Sequence, residues 1–264
     1  MKRVVIIFLS LFFLLSEVAA QPISEQGVLI GLQGGVGYGL YRDLGASPLT
    51  YRGLELLPGI AVSVEKPMWH YKAQLGLSGG GYGLAVGFKY MQAYGGQVNV
   101  GFETMHKIAE YAPWQLWLGA SVDDRADVRY NSVLGNSCVG SSNFFNLNLI
   151  GHTEVSVGNW MMHAQLALTP VSLLLRPGFA YMDNYDHEIS NPLADYLKQY
   201  RWYISGATIA VTDLGATLRL KNGNRIGVSY RWHYMTSRAT VGTAAPYVFE
   251  QAGHALLFHM GFKL

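Results

Sequence analysis

Two pairs of adjacent residues along the chain, an Asp-Asp pair and an Asp-His pair, have the residue types of a hydrolytic site. Asp123 and Asp124 are adjacent, and Asp186 is followed directly by His187. A carboxylate that orients a histidine, which in turn activates water, is sound general-base chemistry. Neighbouring side chains on a β-strand point to opposite faces, so an adjacent pair on a strand would diverge. We therefore assign no catalytic residue and do not expect an enzyme; a protease and a lipid-modifying enzyme remain as alternatives.

A second group of polar side chains lies between Pro170 and Tyr200, the longest segment without a strand pattern. Acidic groups beside tyrosines suit contact with a sugar or a peptide. The candidate loop-binding residues are Tyr181, Asp183, Tyr185, Asp186, His187 and Glu188. Asp183, Asp186 and Glu188 have carboxylate oxygens, the ligands that calcium prefers, but their spacing matches no specific calcium loop. The segment is predicted to be a solvated outer loop, with no metal and no cofactor.

Many of the other charged residues alternate with apolar ones. From Trp69 to Leu77 the odd positions are apolar, and from Ile226 to Tyr234 the even positions are. Alternation with period two predicts β-strands. Charges on one face and aromatic residues at the ends of the other suit a barrel with lipid outside and a polar lumen. The candidate lumen charges are Glu55, Lys72, Glu103, Glu154, Arg219, Arg225 and Arg231.

Composition supports a membrane protein without membrane helices. Hydrophobic residues make up 50% of the chain and charged residues 14%, against about 25% charged in a typical soluble domain. The longest charge-free apolar run, Val4 to Leu15, is shorter than the roughly 20 residues of a membrane helix. The formal net charge of +2 argues against nucleic acid as a partner.

The N-terminus predicts export. Lys2 and Arg3 precede the apolar run, and Val18-Ala19-Ala20 forms a small-residue cleavage site, the order found in a signal peptide. Residues 1–20 are thus predicted to be a cleaved signal peptide and residues 21–264 a single barrel domain. The predicted location is the outer membrane of a Gram-negative bacterium.

Turn signals predict the strand number. Short turns are expected at Asn222-Gly223, Gly158-Asn159, Glu65 to Met68, and His106 to Pro113. Long connections are expected at Arg42 to Gly53, Asp123 to Asn143, Pro170 to Tyr200, and Met235 to Gly253. Bacterial barrels keep short turns in the periplasm and long loops outside. That rule gives about ten strands, with twelve or eight as alternatives.

Two segments decide between ten and twelve strands. Trp202 to Leu220 keeps its even positions mostly apolar, so we predict one strand with Thr212-Asp213 in its middle. Between Trp69 and Tyr90 the apolar positions change from odd to even across Gly79-Gly80-Gly81. We interpret that change as a bulge, which glycine tolerates, rather than as a hairpin. Splitting both segments would place two long loops in the periplasm.

The chain resembles the bacterial outer-membrane β-barrel class over residues 21–264, without pointing to a specific family. In its last strand, His254 to Leu264, every second residue is apolar, as in the C-terminal insertion signal of these proteins. The resemblance implies an all-β, antiparallel, up-and-down transmembrane barrel. It also implies outer-membrane lipids and, during biogenesis, the barrel-insertion machinery as partners. Omptin-type outer-membrane proteases are ten-stranded too, but the residues of their acidic pairs are separated by one position.

A barrel of about ten strands is close to the eight-stranded size that side chains fill. We therefore expect a non-catalytic surface scaffold or binding barrel whose outer loops meet another envelope protein or a surface glycan. A narrow, porin-like passive pore for small solutes is the first alternative. A rim-site hydrolase of omptin type is the second.

Overall fold

Paired β-strands make up almost all of the described structure. The computed structural model describes residues 26–43, 47–84, 92–131, 139–177, 200–205, 208–239 and 247–264. The strands are β1 (Gly27–Asp43), β2 (Ser47–Leu56), β3 (Gly59–Glu65), β4 (Trp69–Leu84), β5 (Gln92–Tyr111), β6 (Trp114–Asn131), β7 (Val139–Val157), β8 (Trp160–Pro177), β9 (Tyr200–Ser205), β10 (Thr208–Arg219), β11 (Arg225–Ala239) and β12 (Tyr247–Lys263). No helix within these ranges is long and apolar enough to cross a membrane.

The strands form one closed antiparallel barrel, because β12 pairs with β1. β2 and β3 follow one another between β1 and β4 and share one position in the sheet. β9 and β10 likewise lie one after the other along β8, β9 beside its C-terminal part. The barrel thus has ten positions around its circumference, which confirms the predicted fold class and strand number.

The two ends of the barrel differ. Four tight turns, at residues 66–68, 112–113, 158–159 and 220–224, lie at one end, together with the first residue of β1 and the last of β12. We call this the turn end, and the opposite end the loop end. Gly158 and Gly223 have positive φ angles of 58° and 83°, which glycine adopts without strain. The four predicted short turns are therefore confirmed in place, but the one predicted from His106 to Pro113 is shorter than predicted, because β5 continues to Tyr111.

The strands extend further toward the loop end than predicted. β1 continues to Asp43 and β2 starts at Ser47, so most of the predicted connection from Arg42 to Gly53 is strand. The connections predicted after β6, β8 and β11 are shortened in the same way. At this end outward positions become polar, as in the 2.7 Å ion pair between Arg42 and Glu250. The apolar alternation stops there while backbone pairing continues.

The predicted bulge at Gly79-Gly80-Gly81 was wrong. β4 pairs with β5 in one unbroken register from Trp69 to Gly83. The apolar parity changes because Tyr82 occupies a lumen-facing position, where it donates a hydrogen bond to Glu55. Thr212-Asp213 does lie within β10, as predicted, and residues 206–207 between β9 and β10 are outside the described ranges.

A register shift does occur between β7 and β8, opposite Pro170. Leu147 pairs with Val171 but Leu149 pairs with Leu168. Proline cannot donate a ladder hydrogen bond, so it is tolerated at such an irregularity. The shift changes which residues of β8 face inward: Thr169 is buried before it, and Ser172 and Leu174 are buried after it.

The outward face of the barrel is apolar. Each of the ten positions carries at least one exposed large hydrophobic side chain, such as Leu54 at 70% and Phe258 at 58% exposure. A soluble monomer rarely exposes an apolar surface of this extent, whereas hydrocarbon covers it without cost. Trp69 and Trp160 are exposed at the first residues of β4 and β8. They lie at the turn end, where an interfacial aromatic belt is expected.

The layout predicts the sidedness of two engineered cysteines in a Cys138→Ser background. Asn222→Cys, at the turn end, should react with a membrane-impermeant thiol reagent only after the outer membrane is permeabilised. Asp186→Cys, in the segment after β8, should react on intact cells. Labelling of Asn222→Cys on intact cells would contradict the assignment of the turn end to the periplasm.

Candidate functional site: the barrel lumen

A ring of side chains closes the lumen near the loop end. Each of the ten barrel positions contributes one residue, and none is more than 9% exposed. We call this ring the roof; it comprises Tyr41, Tyr51, Tyr82, Ala93, Arg129, Phe144, Leu174, Ile209, Met235 and Phe249. Its members pack directly, with the Phe144 and Phe249 rings 5.6 Å apart and the Tyr41 and Tyr51 rings stacked at 5.1 Å.

Arg129 joins the two halves of the roof. Its guanidinium carbon lies 4.1 Å from the ring centroid of Tyr41 and 4.4 Å from that of Phe249. The nearby Asp127 carboxylate accepts a hydrogen bond from Arg129 Nη2 at 2.9 Å. Two aromatic faces and a carboxylate stabilise the buried guanidinium, although its Nη1 has no hydrogen-bond partner among the described residues. The charged residue therefore completes the roof instead of opening a polar channel.

Hydrogen bonds across the lumen hold the roof from below and around its edge. Gln97 Nε2 donates to Asp127 at 2.8 Å and to Gln251 Oε1 at 3.1 Å, linking β5, β6 and β12. Asn131 Nδ2 donates to the Tyr51 hydroxyl at 2.8 Å. The Gln97–Gln251 and Asn131–Tyr51 contacts join strands that are not neighbours in the sheet, so they fix the barrel's cross-section as well as its closure.

An ion pair crosses the lumen near the turn end. Arg225 of β11 donates to both carboxylate oxygens of Glu65 of β3 at 2.6 and 2.5 Å, a bidentate geometry that is strong and directional. Beside it, the Lys107 ammonium lies 5.1 Å from the Trp117 ring centroid and 3.1 Å from Glu110. A pocket of about 70 Å³ lies among these residues. We call it the turn-end pocket.

Between the roof and the turn-end pocket lies a cavity of about 420 Å³, which we call the chamber. Its volume falls in the range of about 300–1,000 Å³ found for small-molecule sites. Amide, hydroxyl, carboxylate and basic side chains line it together with aliphatic ones such as Leu57, Ile150 and Val211, and the described lining contains no Phe, Tyr or Trp. The lumen is thus closed by the roof on one side and has a cavity of mixed polar and aliphatic lining in the middle.

On one wall of the chamber, Asp213 is the centre of a hydrogen-bond network. Its two oxygens contact His163 Nε2 at 3.2 Å and Arg231 Nε at 3.0 Å. Ser229 Oγ and His259 Nε2 are 2.8 Å apart in the same region, but Ser229 is only 1% exposed. A serine nucleophile must reach its substrate, so this buried pair supports structure and not acyl transfer.

The adjoining part of the wall, on β6 to β8, carries a ladder of amides around Asp123. The Asp123 carboxylate accepts hydrogen bonds from Asn146 at 2.8 Å and Asn148 at 2.5 Å. Asn146 in turn accepts from Ser172 at 2.7 Å. These side chains satisfy one another across β6, β7 and β8, and no cation among the described residues pairs with the carboxylate.

The structure places the predicted lumen charges in two groups. Lining the chamber are Glu55, Lys72, Glu103, Glu154, Arg225 and Arg231, while Arg219 lines the turn-end pocket. The candidate loop residues Tyr181, Asp183, Tyr185, Asp186, His187 and Glu188 lie outside the described ranges. Among the described residues, no group of three or more His, Cys, Asp or Glu side chains could hold a metal ion.

The acidic pair on β6 does not converge. Asp123 lines the chamber, while Asp124 belongs to the outward-facing register and pairs with the exposed Phe145. The two carboxylates therefore lie on opposite sides of the barrel wall and do not form one site.

The roof was not predicted from the sequence. Its tyrosines and Phe144 have the same parity along their strands as the polar lumen residues, so lumen-facing aromatics at loop-end positions were the available signal. For Tyr51 that signal was obscured because the residue fell in a segment interpreted as a loop. For Tyr82 it was obscured because the change of parity across Gly79-Gly80-Gly81 was interpreted as a bulge.

No protein-family model matches the chain, and a search of curated proteins found no match. Several solved structures resemble it. The outer membrane protease OmpT from Escherichia coli has a TM-score of 0.55 at 7% identity, covering 92% of this chain and 98% of that one. The translocator domain of the autotransporter NalP from Neisseria meningitidis has a TM-score of 0.48 at 10% identity, covering 92% and 90%. Identities this low show the fold alone: the chain has the fold of outer-membrane β-barrels.

Roof packing predicts a large cost for Phe144→Ala. Phe144 is fully buried, so truncation should lower the free energy of unfolding by about 3–5 kcal/mol, measured by urea unfolding in lipid vesicles. The neighbouring Phe145→Ala serves as control, because Phe145 faces outward at 39% exposure and lipid chains can fill the space. A Phe145→Ala cost equal to or above that of Phe144→Ala would contradict a packed roof.

Proposed function

We propose that this chain is a closed, non-conducting barrel of the outer membrane that serves as a surface scaffold or binding protein. In this proposal its outer loops meet another envelope protein or a surface glycan. Export through a cleaved signal peptide, residues 1–20, belongs to the same proposal, as do outer-membrane lipids and the insertion machinery as partners.

The roof is the single observation that carries the proposal. It takes a buried residue from each barrel position, so any solute moving through the lumen would have to displace packed aromatic side chains. The roof also lies directly beneath the loop end, where it ties the strand tops together. A rigid base of this kind suits loops that present a binding surface, because rigid support lowers the entropy lost on binding.

The porin-like alternative requires an open path, and the roof is the barrier to it. The omptin-type alternative requires an acidic pair at the rim, and Asp123 and Asp124 face opposite sides of the wall. Cleavage of a peptide library that is lost in both Asp123→Asn and His187→Ala would favour the hydrolase over a scaffold.

Planar-bilayer recording tests closure of the lumen. The wild-type chain should insert without discrete conductance steps. Replacing three aromatic roof residues, Tyr41→Ala, Tyr82→Ala and Phe249→Ala together, should create steps by joining the chamber to the loop end. Discrete conductance of the wild-type chain would replace the scaffold proposal with the pore.

A matched triple variant controls for loss of aromatic bulk as such. Tyr38, Tyr94 and Phe258 are outward-facing and between 41% and 58% exposed. Changing all three to alanine removes the same side-chain types from the lipid face and leaves the roof intact. This variant should stay silent, and a heat-modifiable gel shift verifies that each protein in the comparison is folded.

A further inference from the structure

The chamber contains charges that the barrel itself does not neutralise. Three of its carboxylates have basic partners: Glu65 with Arg225, Glu154 with His152, and Asp213 with Arg231. Ion pairs like these neutralise charges of the interior without a ligand. The remaining charged residues of the chamber form no ion pair with another described residue.

Two basic residues in the chamber have no ion pair among the described residues. Lys72 pairs in register with Glu103 across β4 and β5, yet the two side chains form no ion pair. Arg125 extends across the lumen to within 4.0 Å of Met235 Sδ and has no carboxylate partner. Leaving an ammonium and a guanidinium without counter-charge in a lumen costs free energy.

Two carboxylates of the chamber are likewise bonded only by neutral amides. Glu103 accepts from Gln165 Nε2 at 3.3 Å, and Asp123 accepts from Asn146 and Asn148. Unneutralised cations and unneutralised carboxylates thus line one cavity of about 420 Å³.

We propose that the chamber binds a small zwitterionic solute, an amino acid or a short peptide. Its carboxylate would be met by Lys72 or Arg125 and its ammonium by Glu103 or Asp123. Such a ligand adds no net charge to the lumen, whereas a simple anion or cation would satisfy only one of the two sets. The amides and hydroxyls of the lining suit a peptide backbone. With no Phe, Tyr or Trp in the described lining, an aromatic ligand has no ring on which to stack.

The solute enters from the turn end. The roof closes the other side, while the chamber and the turn-end pocket share six lining residues, including Glu65 and Arg225. The Glu65–Arg225 pair therefore lies where the two cavities meet. The inference goes beyond the scaffold role, since the site is inside the barrel and independent of what the outer loops contact.

Isothermal titration of the purified chain in detergent micelles tests the ligand class with trialanine as the probe. Trialanine should bind saturably, and the N-acetylated, C-amidated peptide, which has the same chain without charges, should bind at least tenfold more weakly. Lys72→Gln and Glu103→Gln should each weaken trialanine binding at least tenfold. Lys221→Gln, in the exposed turn before β11, is the matched control and should bind like the wild type.

Three results would overturn the ligand assignment: no saturable heat with trialanine, equal binding of the capped peptide, or unchanged binding in both chamber variants. A gel shift on heating verifies the fold of every variant. A bilayer that stays silent while trialanine fails to bind would remove this inference and leave the scaffold proposal standing.

The route of entry is tested by the reaction rate of a chamber cysteine, Ser121→Cys in the Cys138→Ser background, with a small cationic methanethiosulfonate. Adding Glu65→Gln removes the ion pair and should raise the rate at least threefold. Adding Lys221→Gln, which removes an exposed charge at the same end from a residue that lines neither cavity, should leave the rate unchanged. An unaltered rate in the Glu65→Gln protein would overturn entry from the turn end.

Discussion

Closure of the sheet through the β12–β1 pairing is the constraint on which the rest of the structure depends. In hydrocarbon, an unpaired backbone group costs several kcal/mol, and an open sheet would leave two such edges. The pairing runs from Leu29–Lys263 to Asp43–Phe249, so both edges are removed along nearly their full length. Once the sheet is closed, each strand has one face toward lipid and one toward a narrow interior, and the alternation of the sequence follows.

A ten-position barrel is narrow enough that side chains from opposite walls touch, and this determines how the interior is filled. Arg225 reaches Glu65 past two intervening strands, and Gln97 reaches Gln251 across the lumen. Where the facing residues are large and apolar they form the roof, and where they are short amides and carboxylates they leave the chamber. The position of the cavity is therefore a consequence of side-chain size along the strands.

The predictable part of the fold was the part imposed by lipid. Exposure to hydrocarbon requires apolar residues at every second position, so Trp69 to Leu77 and Ile226 to Tyr234 were recognisable as strands. The turns between strands were predicted from short turn signals such as Asn222-Gly223. Toward the loop end, water replaces lipid outside the wall, as Arg42 and Glu250 indicate. The outward pattern is lost there, and residues such as Tyr51 and Phe249 were assigned to loops.

The interior was predictable in composition but not in arrangement. Parity identified Lys72, Glu103 and Arg231 as lumen charges, because a strand has only two faces. Parity says nothing about height or about which strands lie opposite, so it could not separate the paired Asp213–Arg231 contact from the unpaired Lys72. That separation depends on the registers of all ten positions together. A stretch of sequence determines which of its own residues face lipid and which face the lumen. A contact across the lumen depends in addition on the relative heights of strands that are distant in the chain.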